Sequence, residues 1–163
     1  MFVLGIDPGL STLGYGVIEG GSVVRPVAVG VIRTDPALAT SVRLQELAGD
    51  LEAIIAEYRP DQAAIEEVFV NRNLHSALGV GRASGVAILL AARAGMEVHE
   101  YTPTEVKKAV TGRGDASKAQ VQHMVARRLG LAAAPAPADA ADALAVALCH
   151  LQTFASLRAG GRR

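Results

Sequence analysis

"FVLGIDPGLSTLGYGVIEG", residues 2–20, decides how the rest of the chain is read. Phe2 to Asp7 is an apolar run that reads as a buried strand, and Pro8-Gly9 breaks it. Leu13 to Gly20 reads as a second strand, and Gly20-Gly21 signals a turn. The next stretch, "SVVRPVAVGVIRT" (22–34), predicts a third strand. Pro26 within it points to an edge or a bulge, because proline cannot donate to a ladder. Three strands joined by short turns predict an antiparallel meander.

The period then changes. Val42, Leu44, Leu47, Leu51, Ile54 and Ile55 form one helical stripe between Ser41 and Tyr58, which Arg59-Pro60 ends. "AAIEEVFV" (63–70) reads as a strand, and residues 74–94 as a long helix of small residues. "MEVHEY" (96–101) is a further short strand. Thr102-Pro103-Thr104-Glu105 matches a capping box with proline at the first helical position. That helix runs toward Val110. "TGRGDAS" (111–117) is a loop, and a helix from about Ser117 to Leu129 stops at Gly130. An Ala/Pro linker precedes a last helix ending near Leu157. The fold class is therefore α/β, with a mixed five-stranded sheet flanked by helices. One domain over 1–157 is expected, with 158–163 as a basic, disordered tail.

Half of the residues are hydrophobic and the formal net charge is zero. The charge is uneven: between Glu105 and Arg128 there are six basic residues against two acidic ones. That bias suits a nucleic-acid face, and equally an ordinary solvated helix face. No run approaches the ~20 apolar residues of a membrane span. The start lacks a basic leader, and Cys149 is the single cysteine. A cytoplasmic protein with no membrane contact is the expectation. The four histidines share no ligand spacing, which argues against zinc. His123 is expected in or at the edge of a helix, and Cys149 in the core.

The acidic residues at element ends are harder to explain. Asp7 ends the first strand, where it is either a turn aspartate or a group presented at the sheet's carboxyl edge. Glu66 and Glu67 fall within the fourth strand and face opposite ways, so one at most joins Asp7. "PADAADALAVALCH" (137–150) carries Asp139 and Asp142 on one face of a helix start. Asp139 could be a cap and either acid suits the dipole there. Carboxylates converging from separate elements also suit hard divalent cations, and paired ions suit phosphodiester cleavage.

Six stretches carry a resemblance: "GIDPG" (5–9), "GYGVI" (14–18), "AIEEVF" (64–69), "SALGVGRASGVAI" (76–88), "VQHMV" (121–125) and "ADAADALAVA" (138–147). In this order and spacing the chain resembles the RuvC family of Holliday junction resolvases. The resemblance implies a ribonuclease-H-like fold and a homodimer that nicks two strands of like polarity at a four-way DNA junction. It implies that Asp7, Glu66, Asp139 and Asp142 are catalytic acids holding two Mg²⁺ ions, with Mn²⁺ as a substitute. It selects Glu66 over Glu67, which parity left open. Lys107 and Lys118 match lysines near the scissile phosphate, so Lys118 counts as catalytic as well. Phe69 matches an aromatic that contacts bases, and it equally suits a core strand. Arg72, Asn73 and Ser76 belong to a DNA-reaching segment, and Lys107, Lys108 and Arg113 to a backbone-tracking basic set. Glu67 departs from the commoner Gln at that place. A branch-migration complex of RuvA and RuvB type proteins is the implied partner.

Three rival functions remain at this level. An actin-like phosphotransferase would use "GIDPG" as a phosphate turn, but the chain is short for two lobes. A non-catalytic junction-binding scaffold would bind without nicking. A related nuclease would act on RNA or other branched DNA.

Overall fold

The computed structural model of the chain describes residues 1–67 and 74–160. Among these, five strands form one sheet: β1 (Phe2–Asp7), β2 (Thr12–Glu19), β3 (Arg25–Arg33), β4 (Gln62–Glu66) and β5 (Glu97–Tyr101). Five helices accompany them: α1 (Thr40–Tyr58), α2 (Leu74–Arg93), α3 (Pro103–Thr111), α4 (Lys118–Arg128) and α5 (Ala138–Gly160).

The strand order is β3-β2-β1-β4-β5. β1 pairs antiparallel with β2 and parallel with β4, and β4 pairs parallel with β5. The meander is therefore half of the sheet, and two helical crossovers build the other half. Pro26 satisfies both expectations: β3 is the edge strand, and its register against β2 slips where Ile18 faces Pro26 and Val17 faces Ala28. Val27 is left over as a bulge, so the missing N–H breaks no regular ladder.

Side-chain alternation sorts the strands into two cores. Leu4, Ile6, Leu13 and Ile65 pack with Leu47 and Leu51 of α1 and with Ala83 and Ala87 of α2. Val3, Ile18 and Ala64 pack on the other face with Val106, Val121, Val125 and Leu144 of α3 to α5. α5 is thus wedged between the sheet and α3 and α4. This explains its composition: Ala140, Ala141, Ala143, Ala145 and Ala147 are all buried.

The sheet is cut to fit that helix. Gly5 and Gly16 are register partners, and Gly14 faces Asp7. A Cβ on Gly5 would strike the Ala143 carbonyl, and one on Gly14 the Asp139 carbonyl. A Cβ on Gly16 would meet the Leu144 side chain 2.6 Å away. The three glycines make a smooth seat that lets α5 lie unusually close to β1 and β2.

Several boundaries differ from the sequence reading. Glu67 lies outside β4, although its N–H still donates to the Tyr101 carbonyl at 2.8 Å. The rest of the expected strand, 68–70, is outside the described residues. α5 continues to Gly160, three residues' worth past the expected stop near Leu157, so the expected tail begins as helix; 161–163 are outside the described residues. α4 begins with a capping box of its own, Ser117 with Gln120, a spacing visible in the sequence.

Gly49 sits exposed in the middle of α1, and a Cβ there would meet nothing within 4 Å. Gly49→Ala is expected to stabilise the protein by about 0.5–1 kcal/mol, because alanine restricts the unfolded chain and favours helix. A higher urea midpoint with an unchanged slope checks it.

A buried polar chain ties α5 to the far end of the sheet. His150 is 1% exposed. Its Nε2 lies 2.6 Å from the Gln62 Oε1, and its Nδ1 lies 2.7 Å from the Tyr101 hydroxyl. Gln62 in turn donates to Glu97 at 3.1 Å, which fixes its amide orientation. A carbonyl oxygen only accepts, so Nε2 carries the proton and Nδ1 accepts from Tyr101. Burial and the neighbouring His99 ring lower His150 to about 4, which keeps it neutral. His123, by contrast, is exposed on α4, and Cys149 is buried as expected.

Candidate active site

The four acids meet because three elements end at the same place. β1 and β4 run parallel, and Ile6 faces Ile65, so Asp7 and Glu66 leave the same end of neighbouring strands. Both point to the α5 face. Asp7 shares that face with its partner Gly14, and Glu66 with Gln62 and Ala64, which reach His150 and the α5 core. The parity question is settled by the strand itself: Glu66 is half-buried and Glu67 is exposed.

α5 begins over this sheet end. Asp139 is inside its first turn rather than a cap, and Asp142 lies one step beyond that turn. The Ala140 N–H bonds to the Pro137 carbonyl, so the bonding begins ahead of Asp139. Lys118, the first residue of α4, reaches across with its Nζ 2.6 Å from the Asp142 Oδ2. The Asp142 side chain is 18% exposed and that of Lys118 61%.

Beside the acids lies a cavity of about 230 Å³, lined by Glu66, Lys107, Lys118 and Asp142 with Pro103, Val106, Val121 and Ala145. Four carboxylates on a half-buried wall cannot all ionise without cost. Burial, then the charges of Glu66, Asp142 and Asp139, push Asp7 up from 3.8 to about 8, against the pull of Lys118. Burial and Asp142 raise Glu66 as well, while Lys118 and Lys107 draw it back. The hydrogen bond to Asp142 raises Lys118 and keeps it charged.

The donors fit a hard divalent cation: all are carboxylate oxygens, and their mutual repulsion is the demand that such an ion meets. The described residues hold no ready-made cage of three or more ligating side chains. Lys118 holds the cationic place beside Asp142 instead.

The remaining expected residues divide. Lys107 lines the acid cavity. Lys108, one residue on, lines a separate cavity with Tyr101, Glu105 and Cys149. Arg113 is engaged by Asp115 through two 3.0 Å bonds, both side chains being exposed. Ser76 is exposed in the first turn of α2. Phe69, Arg72 and Asn73 lie outside the described residues.

Comparison with known proteins places the chain in a family. The family model described as "Crossover junction endodeoxyribonuclease RuvC" matches residues 3–150. The protein of that name from Chloroflexus aggregans is 51% identical over 162 residues, covering 99% of both chains. Its namesake from Heliobacterium modesticaldum is 54% identical over 150 residues, covering 91% of this chain and 93% of the other. Among solved structures, T. thermophilus RuvC in complex with a Holliday junction substrate aligns with a TM-score of 0.90 at 38% identity, covering 97% and 96% of the two chains. The yeast mitochondrial Holliday junction resolvase Ydc2 shares the fold, with a TM-score of 0.66 at 14% identity over 96% of this chain and 82% of its own. The ribonuclease-H-like expectation for the fold holds, and the chain belongs to the RuvC family of crossover junction endodeoxyribonucleases.

Proposed function

We propose that this protein resolves four-way DNA junctions by metal-dependent hydrolysis of one phosphodiester in each of two strands of like polarity. The observation that carries the reading is the meeting of Asp7, Glu66, Asp139 and Asp142 at one sheet end, beside Lys118. The family is one of metal-dependent nucleases. In this reading the four acids hold two Mg²⁺ ions, which Mn²⁺ can replace. Such ions supply a water of lowered pKa and neutralise charge at the leaving oxygen.

The chain's own residues do the rest. Lys118 sits where it can shift from Asp142 to a phosphate oxygen, so it offsets charge on substrate that replaces charge on the protein. Lys107 faces the same cavity. Phe69, Arg72, Asn73 and Ser76 serve as junction contacts, and Lys108 and Arg113 extend the basic set along the backbone. The reading includes one nuclease domain, a cytoplasmic location and a branch-migration partner of the RuvA and RuvB type. No helix among the described residues is long and apolar enough to cross a membrane.

Paired cuts need two copies, and α2 supports that assembly. Leu78 and Leu89 are 54% and 55% exposed. With Gly81 and Gly85, above which a Cβ would meet nothing within 4 Å, they form one stripe at helical spacing. A second copy covers this stripe in the proposed dimer. Leu89→Glu is expected to give monomers in sedimentation and to turn paired cuts into isolated nicks. Dimers of unchanged stability would remove the stripe from the interface.

The deciding experiment is cleavage of a synthetic four-way junction and a matched linear duplex with Mg²⁺, Mn²⁺ or EDTA. Metal-dependent paired nicks confined to the junction are expected. Tight junction binding without nicks under every metal would favour a scaffold instead.

A further inference from the structure

Two arginines at the other corner of the same sheet end have no place in the site described so far. Arg33 is the last residue of β3 and is exposed. It pairs with Thr12, two positions from Gly14, so alternation puts it on the α5 face with Asp7. Arg43 rises from the first turn of α1, on the opposite face. Its Nε donates to the Thr34 hydroxyl at 2.9 Å, and its Nη2 donates to the Ser11 hydroxyl at 2.7 Å. Thr34 is buried and donates in turn to the Leu10 carbonyl at 2.6 Å. The Thr34 N–H donates to the Ser11 carbonyl at 3.2 Å.

These bonds hold the guanidinium of Arg43 in a fixed plane without neutralising it. Two hydroxyls and two carbonyls do this work, and no carboxylate ion-pairs with Arg33 or Arg43 among the described residues. A preorganised, uncompensated guanidinium retains donors for a bidentate anion contact. The loop it braces joins β1 to β2, directly after Asp7. The end of β3 is therefore flanked by one braced and one exposed cation, on opposite faces of the acid end of the sheet.

We propose that Arg33 and Arg43 form a second phosphate-binding corner, which takes the DNA backbone on the β3 side of the scissile phosphate. β3 lies two strands from β1, roughly 10 Å at normal strand spacing. At about 3.4 Å of rise per nucleotide, that is about three nucleotides from the cut. Lys107 and Lys118 hold the opposite side, so the strand is gripped on both flanks of the acids. The proposal rests on the nuclease reading for its substrate, but the corner itself requires only a phosphate backbone.

The test is binding in EDTA, by fluorescence anisotropy across a KCl series, to a synthetic four-way junction and to its matched linear duplex. The proteins are wild type, Arg33→Gln and Arg43→Lys, each with its thermal midpoint measured. Arg33 is exposed and makes no side-chain hydrogen bond or ion pair among the described residues, so Arg33→Gln is expected to fold normally. It should lower the log–log salt slope by about 0.9 and weaken binding about eightfold at 0.1 M salt, as one lost phosphate contact does. Arg43→Lys keeps the charge but loses the fork, and should weaken binding with little change in slope. A junction carrying a methylphosphonate about three nucleotides from the cut should weaken wild type and have no further effect on Arg33→Gln. An unchanged slope for folded Arg33→Gln on both DNAs would overturn the corner. A slope change on both DNAs, with no preference of wild type for the junction, would keep the corner and remove the junction reading instead.

Discussion

Asp7→Asn is expected to abolish cleavage and, at the same time, to make the metal-free protein more stable at pH 8. The folded protein holds Asp7 at about 8, from an ordinary 3.8, because burial and three neighbouring carboxylates penalise its charge. Between those values the folded state keeps a proton that the unfolded chain has released. Stability therefore falls as pH rises from about 4 to about 8. Asparagine keeps the shape and never ionises, so the variant escapes that fall. A shift of this size corresponds to roughly 6 kcal/mol at most, shared among coupled groups, so a gain of about 2–4 kcal/mol at pH 8 is reasonable. For a chain of this length that is on the order of 5–12 °C in thermal midpoint, shrinking to nothing near pH 4.

The same substitution removes a central carboxylate from the metal site. If that costs about 4 kcal/mol of transition-state stabilisation, nicking falls by roughly a thousandfold. Added Mg²⁺ should raise the midpoint of the wild type more than that of the variant, because the ion binds only the folded state. Melting curves at pH 5 and pH 8, with EDTA and with Mg²⁺, together with a nicking assay, check all three points. Equal midpoints for the two proteins at pH 8 in EDTA would mean that the folded protein does not penalise the charge of Asp7.

Gly14→Ala tests the geometry rather than the charge. The added methyl would land on the carbonyl group of Asp139. Both parties are backbone, so no side chain can swing aside. α5 cannot back away either, since α3 and α4 cover its other face. The variant must open the first turn of α5 or tilt the helix, at a cost of about 3 kcal/mol or more. Either response moves Asp139 and Asp142 from Asp7. Cleavage is expected to fall at least a hundredfold even at temperatures where the variant is folded, since misplacement of about 1 Å can cost that much. Gly49→Ala provides the contrast, because the same chemical change in open space should stabilise. A Gly14→Ala protein with normal nicking would show that α5 need not seat this closely.

The strands and most helices were legible because local signals agreed with tertiary demands. Pro26 marked both the edge and the bulge, and Thr102 with Glu105 marked the start of α3 through a real reciprocal cap. The acids were legible as a candidate cation-binding set, but not the way in which the ends of β1 and β4 and the start of α5 meet to assemble it. Parity says only that Glu66 and Glu67 diverge; the resemblance selects Glu66, and its burial and the register of β4 with β1 put it beside Asp7. Asp139 looked like a cap because an aspartate before an apolar run usually is one. The helix begins earlier here, with the Ala140 N–H on the Pro137 carbonyl. Three features were not legible at all. The seat of Gly5, Gly14 and Gly16 combines strands with a helix more than a hundred residues away. The Lys118–Asp142 pair joins two helices, and the chain from Tyr101 through His150 to Glu97 joins three elements. Such pairings depend on distance in the fold, and sequence spacing carries no trace of them.

The locked tautomer of His150 gives the protein a built-in spectroscopic gauge. Its Nε2 proton is buried and hydrogen-bonded to Gln62, so it should exchange slowly and resonate far downfield, clear of other signals. His150 lies eleven positions along the same helix from Asp139, about 16 Å at helical rise. It is too distant to feel a bound ion's contacts directly. It is bolted to the same rigid rod, however, so any sliding or tilting of α5 when the acids are filled must stretch the bond to Gln62. That one resonance would report on how firmly the rod is seated, with no label attached and no substrate present.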